Sequence, residues 1–227
     1  MKILVTGSAG YLGESKSGTF SMSGPPYEPW DSPGRQKALA IFHEHLGKAV
    51  AAWSTIEDGL FEWFKYCTGL EEYIARSVFY SARSFEGRRD MLSAAIPFSR
   101  GDEKTRTGIR LCIKRARQYS EFRNRISHGH LIYYATTVPQ YVIAEGRTLS
   151  SPWNDTKYVT LDDLKAATLN FEGLAYCLLG FHPQWQAPDV CEQGCLEEIQ
   201  ALPIAASSKQ PFPIPPQTKP PATDPVE

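Results

Sequence analysis

The chain has few cysteines and no long apolar run, and each shortage excludes a class of protein. Five cysteines among 227 residues form an odd, scattered set, which argues against a disulfide-stabilised secreted domain and favours a reducing compartment. No run reaches the roughly 18 apolar residues of a membrane span, and no apolar secretory segment opens the chain. These absences predict a cytoplasmic protein with no membrane partner.

The net charge of the chain is close to zero, and its potential metal ligands are not clustered. The 24 Lys and Arg against 25 Asp and Glu give a formal charge of −1, so any attraction to nucleic acid has to come from a local patch. Cys191 and Cys195 lack the second cysteine pair or nearby histidine of a zinc site. His43 and His45, two residues apart on a predicted helix, face different directions. We therefore expect no metal and no cofactor.

The hydrophobic residues make up 42% of the chain, which is enough to form one buried core. We expect a flexible lead over 1–34, a helical domain over 35–182, and a Pro-rich, largely disordered tail over 183–227 that includes one short helix at about 190–201.

Apolar residues at steps of three and four predict a mainly α domain of four to five helices. The first helix begins at Arg35, breaks near Gly59 and has a core stripe of large aromatic residues. The second covers about 70–96 and is stopped by Pro97, and the third ends at Gly129.

Two further elements follow the third helix. Two β-branched and aromatic runs, separated by a turn around Pro139, predict a small β-hairpin. Thr160 is placed as the N-cap of a fourth helix that continues to about Phe181, because acidic Asp162 and Asp163 follow it directly.

The third helix concentrates the basic residues of the chain and carries its most informative motif. Arginine forms planar, bidentate contacts with phosphate oxygens, and histidine exchanges protons near neutral pH. RNA supplies its own nucleophile, the 2′-OH, so these groups can cleave it without a metal. We predict Arg123 as the electrostatic clamp, His128 as the acid or base, and Asn124 as their helper one turn before His128. Predicted RNA contacts are Arg117, Arg125 and His130.

The run Arg123-Asn124-Arg125-Ile126-Ser127-His128-Gly129 resembles the Arg-x4-His signature of HEPN domains, an all-helical family of nucleotide-binding proteins and ribonucleases. The resemblance covers about residues 35–182. It implies a HEPN-like helical bundle and an RNA cleft assembled from two motifs across a homodimer. It also implies a toxin or defence role with an antitoxin protein as partner. Ser127 departs from the alanine that is commoner in such motifs.

Two alternatives stay open. Arg123 and His128 suit a helix C-terminus, where cations are favoured, so the domain is alternatively a non-catalytic nucleotide- or protein-binding module.

The second alternative concerns the glycines that follow a predicted strand near the start of the chain. Gly7, Gly10 and Gly13 resemble the opening of extended short-chain dehydrogenases and sugar-nucleotide epimerases. The Ser-, Gly- and Pro-rich residues after them cannot continue a helix. A Tyr-x-x-x-Lys pair is also absent, so a remnant of such an enzyme is the third reading.

Overall fold

The computed structural model describes residues 29–134, 140–144, 158–180 and 182. The predicted glycine motif at 7–13, the turn around Pro139 and the predicted tail with its short helix lie outside these residues. Within them the protein is mainly α, with a small antiparallel sheet after the fourth observed helix. The predicted fold class is confirmed.

The first helix, α1 (Pro33–Thr68), is continuous over 36 residues. It begins where the Ser32 side chain accepts a hydrogen bond from the Arg35 N–H at 3.2 Å, and it ends at Gly69, whose φ of 65° is left-handed. The predicted break near Gly59 is wrong. A Cβ atom at Gly59 would lie 3.2 Å from Leu178 Cβ, so this glycine allows another helix to approach closely.

The second predicted helix is two helices, α2 (Glu72–Phe79) and α3 (Phe85–Ala95), and α3 continues into a 3₁₀ turn (Ile96–Phe98). The prediction of one helix over about 70–96 is therefore wrong. The physical reason is a new N-cap, because the Ser84 side chain accepts a hydrogen bond from the Gly87 N–H at 3.0 Å and starts a second helix.

The next helix, α4 (Glu103–His128), leads directly into the sheet. The strands β1 (His130–Tyr134) and β2 (Gln140–Ala144) pair antiparallel, with His130 opposite Ala144. This confirms the predicted hairpin strands. The short strand β3 (Tyr158–Val159) adds to the other edge of β2 and was not predicted.

The last helix, α5 (Leu161–Gly180), begins as predicted at Thr160. The Thr160 hydroxyl accepts a hydrogen bond from the Asp163 N–H at 3.2 Å, and the Asp163 carboxylate accepts one from the Thr160 N–H at 2.9 Å. This reciprocal arrangement satisfies two backbone donors at once.

The core lies mainly between α1 and α5, which run parallel. Trp53 meets Phe171 edge to face at 5.4 Å between ring centroids, and ten residues later the Trp63 indole N–H donates to the Leu178 carbonyl oxygen at 2.8 Å. The predicted core stripe of the first helix, Trp53, Leu60 and Phe64, is confirmed, because all three residues are buried. In the part of the chain that the structure describes, no helix combines the length and apolar character needed to cross a bilayer.

Candidate active site at the end of the fourth helix

The helix α4 has a buried face and a solvent-exposed face, and its charged residues lie on or beside the exposed one. Its start is fixed by Asp102, whose carboxylate accepts a hydrogen bond from the Thr105 N–H at 2.8 Å. Its apolar residues enter the core, from Ile109 to Ile126. The opposite face exposes a line of polar side chains one turn apart, and its members are Arg110, Lys114, Arg117, Glu121, Asn124 and His128.

The three predicted catalytic residues all lie at the surface. Asn124 and His128 are exposed, and Arg123 is half-buried. Asn124 and His128 are four residues apart and so occupy one face of α4. Arg123 precedes His128 by five residues, which separates the two by about 140° around the helix axis. The backbone of Arg123 therefore lies on a different side of α4 from that of His128, although its long side chain reaches Asn124.

Arg123 and Asn124 contact each other. The Arg123 guanidinium donates a hydrogen bond from Nη1 to Asn124 Oδ1 at 3.2 Å. This bond uses one donor of the guanidinium and one of the two lone pairs of the Asn124 carbonyl oxygen, while the amide NH₂ of Asn124 still can donate. The pair thus presents several hydrogen-bond donors outward, which suits an anionic group such as phosphate.

Gly129 turns the chain sharply from α4 into β1. Its N–H donates to the Arg125 carbonyl oxygen at 2.8 Å, and its φ of −76° is open to any residue. A Cβ atom here would overlap Ile143 Cγ2 and lie 2.7 Å from the Arg125 carbonyl oxygen. The glycine is therefore required by close packing of α4 against β2, and this packing holds His128 at the edge of the sheet.

A surface cavity of about 420 Å³ opens beside His128. The three elements around it are α1, the end of α4 and the hairpin. Its lining residues are Leu46, Ile126, Ser127, His128, Gly129, His130, Leu131 and Ile143. His128 thus belongs both to the exposed face of α4 and to a concave surface, which is where reactive groups are usually found.

The predicted RNA contacts lie in three different surroundings. Arg117 lies on the solvent-exposed face of α4. Arg125 is half-buried, with its guanidinium carbon 5.2 Å from the centroid of the Phe122 ring. His130 is half-buried and lines the cavity. The structure therefore brings His130 and His128 together and leaves Arg117 about three turns away along α4.

Only some of the basic residues on α4 are available to a ligand. Arg106 and Arg110 both pair with Glu103, at 3.0 and 2.9 Å. Lys114 and Arg117, in contrast, form no ion pair with any residue that the structure describes. These two side chains carry the positive charge outside ion pairs on the face that ends at His128, and the acidic Glu121 lies one turn after Arg117 on the same face.

Three apolar lining residues outside the motif, Leu46, Leu131 and Ile143, were not predicted from the sequence. Leu46 lies in the apolar stripe of α1, and Ile143 lies in β2, so each has a pattern that indicates core and nothing more. Across the described ranges, no group of three or more His, Cys, Asp or Glu side chains could hold a metal ion. Cys191 and Cys195 lie outside those ranges.

Comparison of the chain with protein-family models, with curated proteins and with solved structures finds no match in any of the three. The site is therefore interpreted from its own residues.

Proposed function

We propose that this protein is a metal-independent endoribonuclease of HEPN type, acting through Arg123, Asn124 and His128. One observation carries the proposal: Asn124 and His128 are exposed on one face of α4, where an RNA strand can reach them, and His128 also lines a cavity. The HEPN assignment itself rests on the resemblance of residues 123–129.

The proposed reaction is an internal transfer within the RNA backbone. The 2′ oxygen attacks the adjacent phosphorus, the bond from phosphorus to the 5′ oxygen breaks, and the products are a 2′,3′-cyclic phosphate and a 5′-hydroxyl. A base removes the proton of the 2′-OH, and an acid delivers a proton to the departing 5′ oxygen. His128 serves as that base or that acid. Arg123 stabilises the extra negative charge that develops on the phosphorane.

The proposed homodimer rests on the family resemblance, which implies a cleft assembled from two motifs. Within one chain the Arg123 guanidinium already reaches Asn124 at 3.2 Å, on the face of α4 that also carries His128. A second copy placed across a two-fold axis would bring a second set of these side chains to the same phosphate. In a toxin or defence setting, an antitoxin protein would cover the same surface.

The test is cleavage of end-labelled RNA in EDTA by the wild type, His128→Ala and Arg123→Ala. We expect each substitution to reduce the rate by about 10²-fold or more, the usual contribution of a general acid or base and of one group that stabilises developing charge. His43→Ala and Arg83→Ala are matched controls, since both residues are exposed and neither lines the cavity. An all-DNA oligonucleotide should stay intact, because it has no 2′-OH. Equal cleavage by all variants would contradict the proposal.

The second candidate is a non-catalytic nucleotide- or protein-binding module. It is favoured by the position of Arg125 and His128 in the last turn of α4, where cations are stabilised by the helix dipole. In that case the wild type binds RNA without cutting it. Substituting His128 by Ala then lowers the thermal stability and leaves RNA affinity almost unchanged.

A further inference from the structure

The cavity beside His128 has a floor and a rim of different chemistry. The floor is aliphatic and mostly buried, and the rim is polar and more exposed; Leu46, Ile126, Leu131 and Ile143 form the floor, whereas Ser127, His128 and His130 form the rim. No lining residue carries a carboxylate, an ammonium or a guanidinium group. The cavity is therefore suited to a neutral group with apolar surface and a polar edge.

A nucleobase has this chemistry, since its ring faces are apolar and its edge carries hydrogen-bond donors and acceptors. Aliphatic side chains remove the faces from water, while imidazole rings stack on bases and bond to their edges. The volume of about 420 Å³ lies within the usual range for small-ligand sites.

We infer that this cavity is a base subsite, which receives the base of one nucleotide next to the scissile phosphate and makes cleavage base-selective. The inference rests on the proposed function and adds a determinant outside the motif, because Leu46 comes from α1 and Ile143 from β2. His128 belongs to both the cavity and the reacting face of α4, so a base bound here lies beside the phosphate to be cut. Lys114 and Arg117 hold more distant phosphates along α4.

The first experiment compares cleavage of a defined RNA by the wild type and by Leu46→Trp, which fills the cavity. Leu39→Trp is the matched control, since Leu39 is half-buried in α1 two turns earlier and does not line the cavity. We expect an abasic nucleotide at one position beside the cut to slow the wild type by about tenfold, the effect of losing one stacked base. Leu46→Trp should abolish that dependence and Leu39→Trp should keep it.

The second experiment does not depend on cleavage. Methyl NMR signals of Leu46 and Ile143 in the wild-type protein are followed during titration with the four ribonucleoside 5′-monophosphates and with ribose 5-phosphate. We expect saturable shifts with at least one monophosphate and none with the base-free sugar. Leu46→Gln, which keeps the helix and removes the apolar wall, should weaken binding by about tenfold.

The outcomes separate the two proposals. The base subsite is overturned if the protein cleaves RNA equally well with an abasic nucleotide at every position beside the cut, and if its methyl signals respond equally to the monophosphates and to ribose 5-phosphate. The ribonuclease proposal is unaffected by that result. Base-dependent methyl shifts without any cleavage overturn the ribonuclease and retain the cavity as a base-binding site. Equal effects of Leu39→Trp and Leu46→Trp on base selectivity also overturn the subsite, once melting curves show that both variants fold.

Discussion

At the scale of single residues, Gly129 is the described glycine at which an added Cβ atom would meet its neighbours most closely. We expect Gly129→Ala to destabilise the protein by about 1–3 kcal/mol, the usual cost of inserting a methyl group into a packed site. The new Cβ atom would overlap Ile143 and crowd the Arg125 carbonyl oxygen. Urea denaturation measures the change in the free energy of unfolding.

The exposed helical residue Gly47 provides the matched control for this substitution. A Cβ atom there meets nothing within 4 Å, so Gly47→Ala should stabilise α1 by roughly 0.5–1 kcal/mol. A loss of stability at Gly47, or a neutral result at Gly129, would contradict the packing described between α4 and β2.

His182 should make stability depend on pH. Burial lowers the pKa of His182, although a hydrogen bond to the Glu62 backbone carbonyl opposes the effect, and the imidazole packs between Trp63 and Tyr66. The unfolded chain therefore binds this proton more readily than the folded one. The stabilisation is complete above the unfolded pKa of about 6.5 and is lost as pH falls below it.

The measurement is urea denaturation at about pH 7.5 and about pH 5, on either side of the unfolded pKa of histidine. His182→Leu should lose less stability over this interval than the wild type. His43→Leu, which changes an exposed histidine, should behave as the wild type does. If His182→Leu shows the full pH dependence, the buried imidazole is not its source.

At the scale of the elements, the contact between α1 and α5 depends on a side chain that caps a helix end. The Leu178 carbonyl lies in the last turn of α5, where backbone acceptors have no helical partner, and the Trp63 indole N–H fills that role at 2.8 Å. Trp63→Phe should cost about 1–3 kcal/mol, because a buried carbonyl loses its hydrogen bond.

Trp30→Phe serves as control for the Trp63 substitution. Trp30 is 44% exposed, so its replacement should change the melting temperature little. A Trp63→Phe variant as stable as Trp30→Phe would show that this bond contributes nothing to the packing of α1 on α5.

The elements also show which structural features a sequence can reveal. Local signals were sufficient for the capped start of α5 at Thr160, for the paired strands β1 and β2, and for the apolar faces of α1 and α4. The restart of the helix at Ser84 was missed because one serine among polar residues is a weak signal. Gly59 was misread as a break, since only the approach of Leu178 explains a glycine inside a helix.

At the scale of the whole molecule, the candidate site combines parts that the sequence keeps far apart. The motif residues lie within six positions of one another, and their surface exposure followed from the period of α4. The cavity required α1, α4 and β2 to meet, and no local pattern specifies that meeting. This is why Leu46 and Ile143 could be identified only from the structure.

In the proposed reaction a 2′-OH is the nucleophile and His128 serves as the base or acid of the proton exchange. This reaction is tested most directly with a DNA oligonucleotide that carries one ribonucleotide at a position cut in the all-RNA substrate, incubated with wild type and His128→Ala in EDTA. We expect one cut by the wild type, directly after the ribonucleotide, leaving a 2′,3′-cyclic phosphate, and almost none by His128→Ala. Cuts at deoxyribonucleotides, or an unchanged cut with His128→Ala, would contradict it.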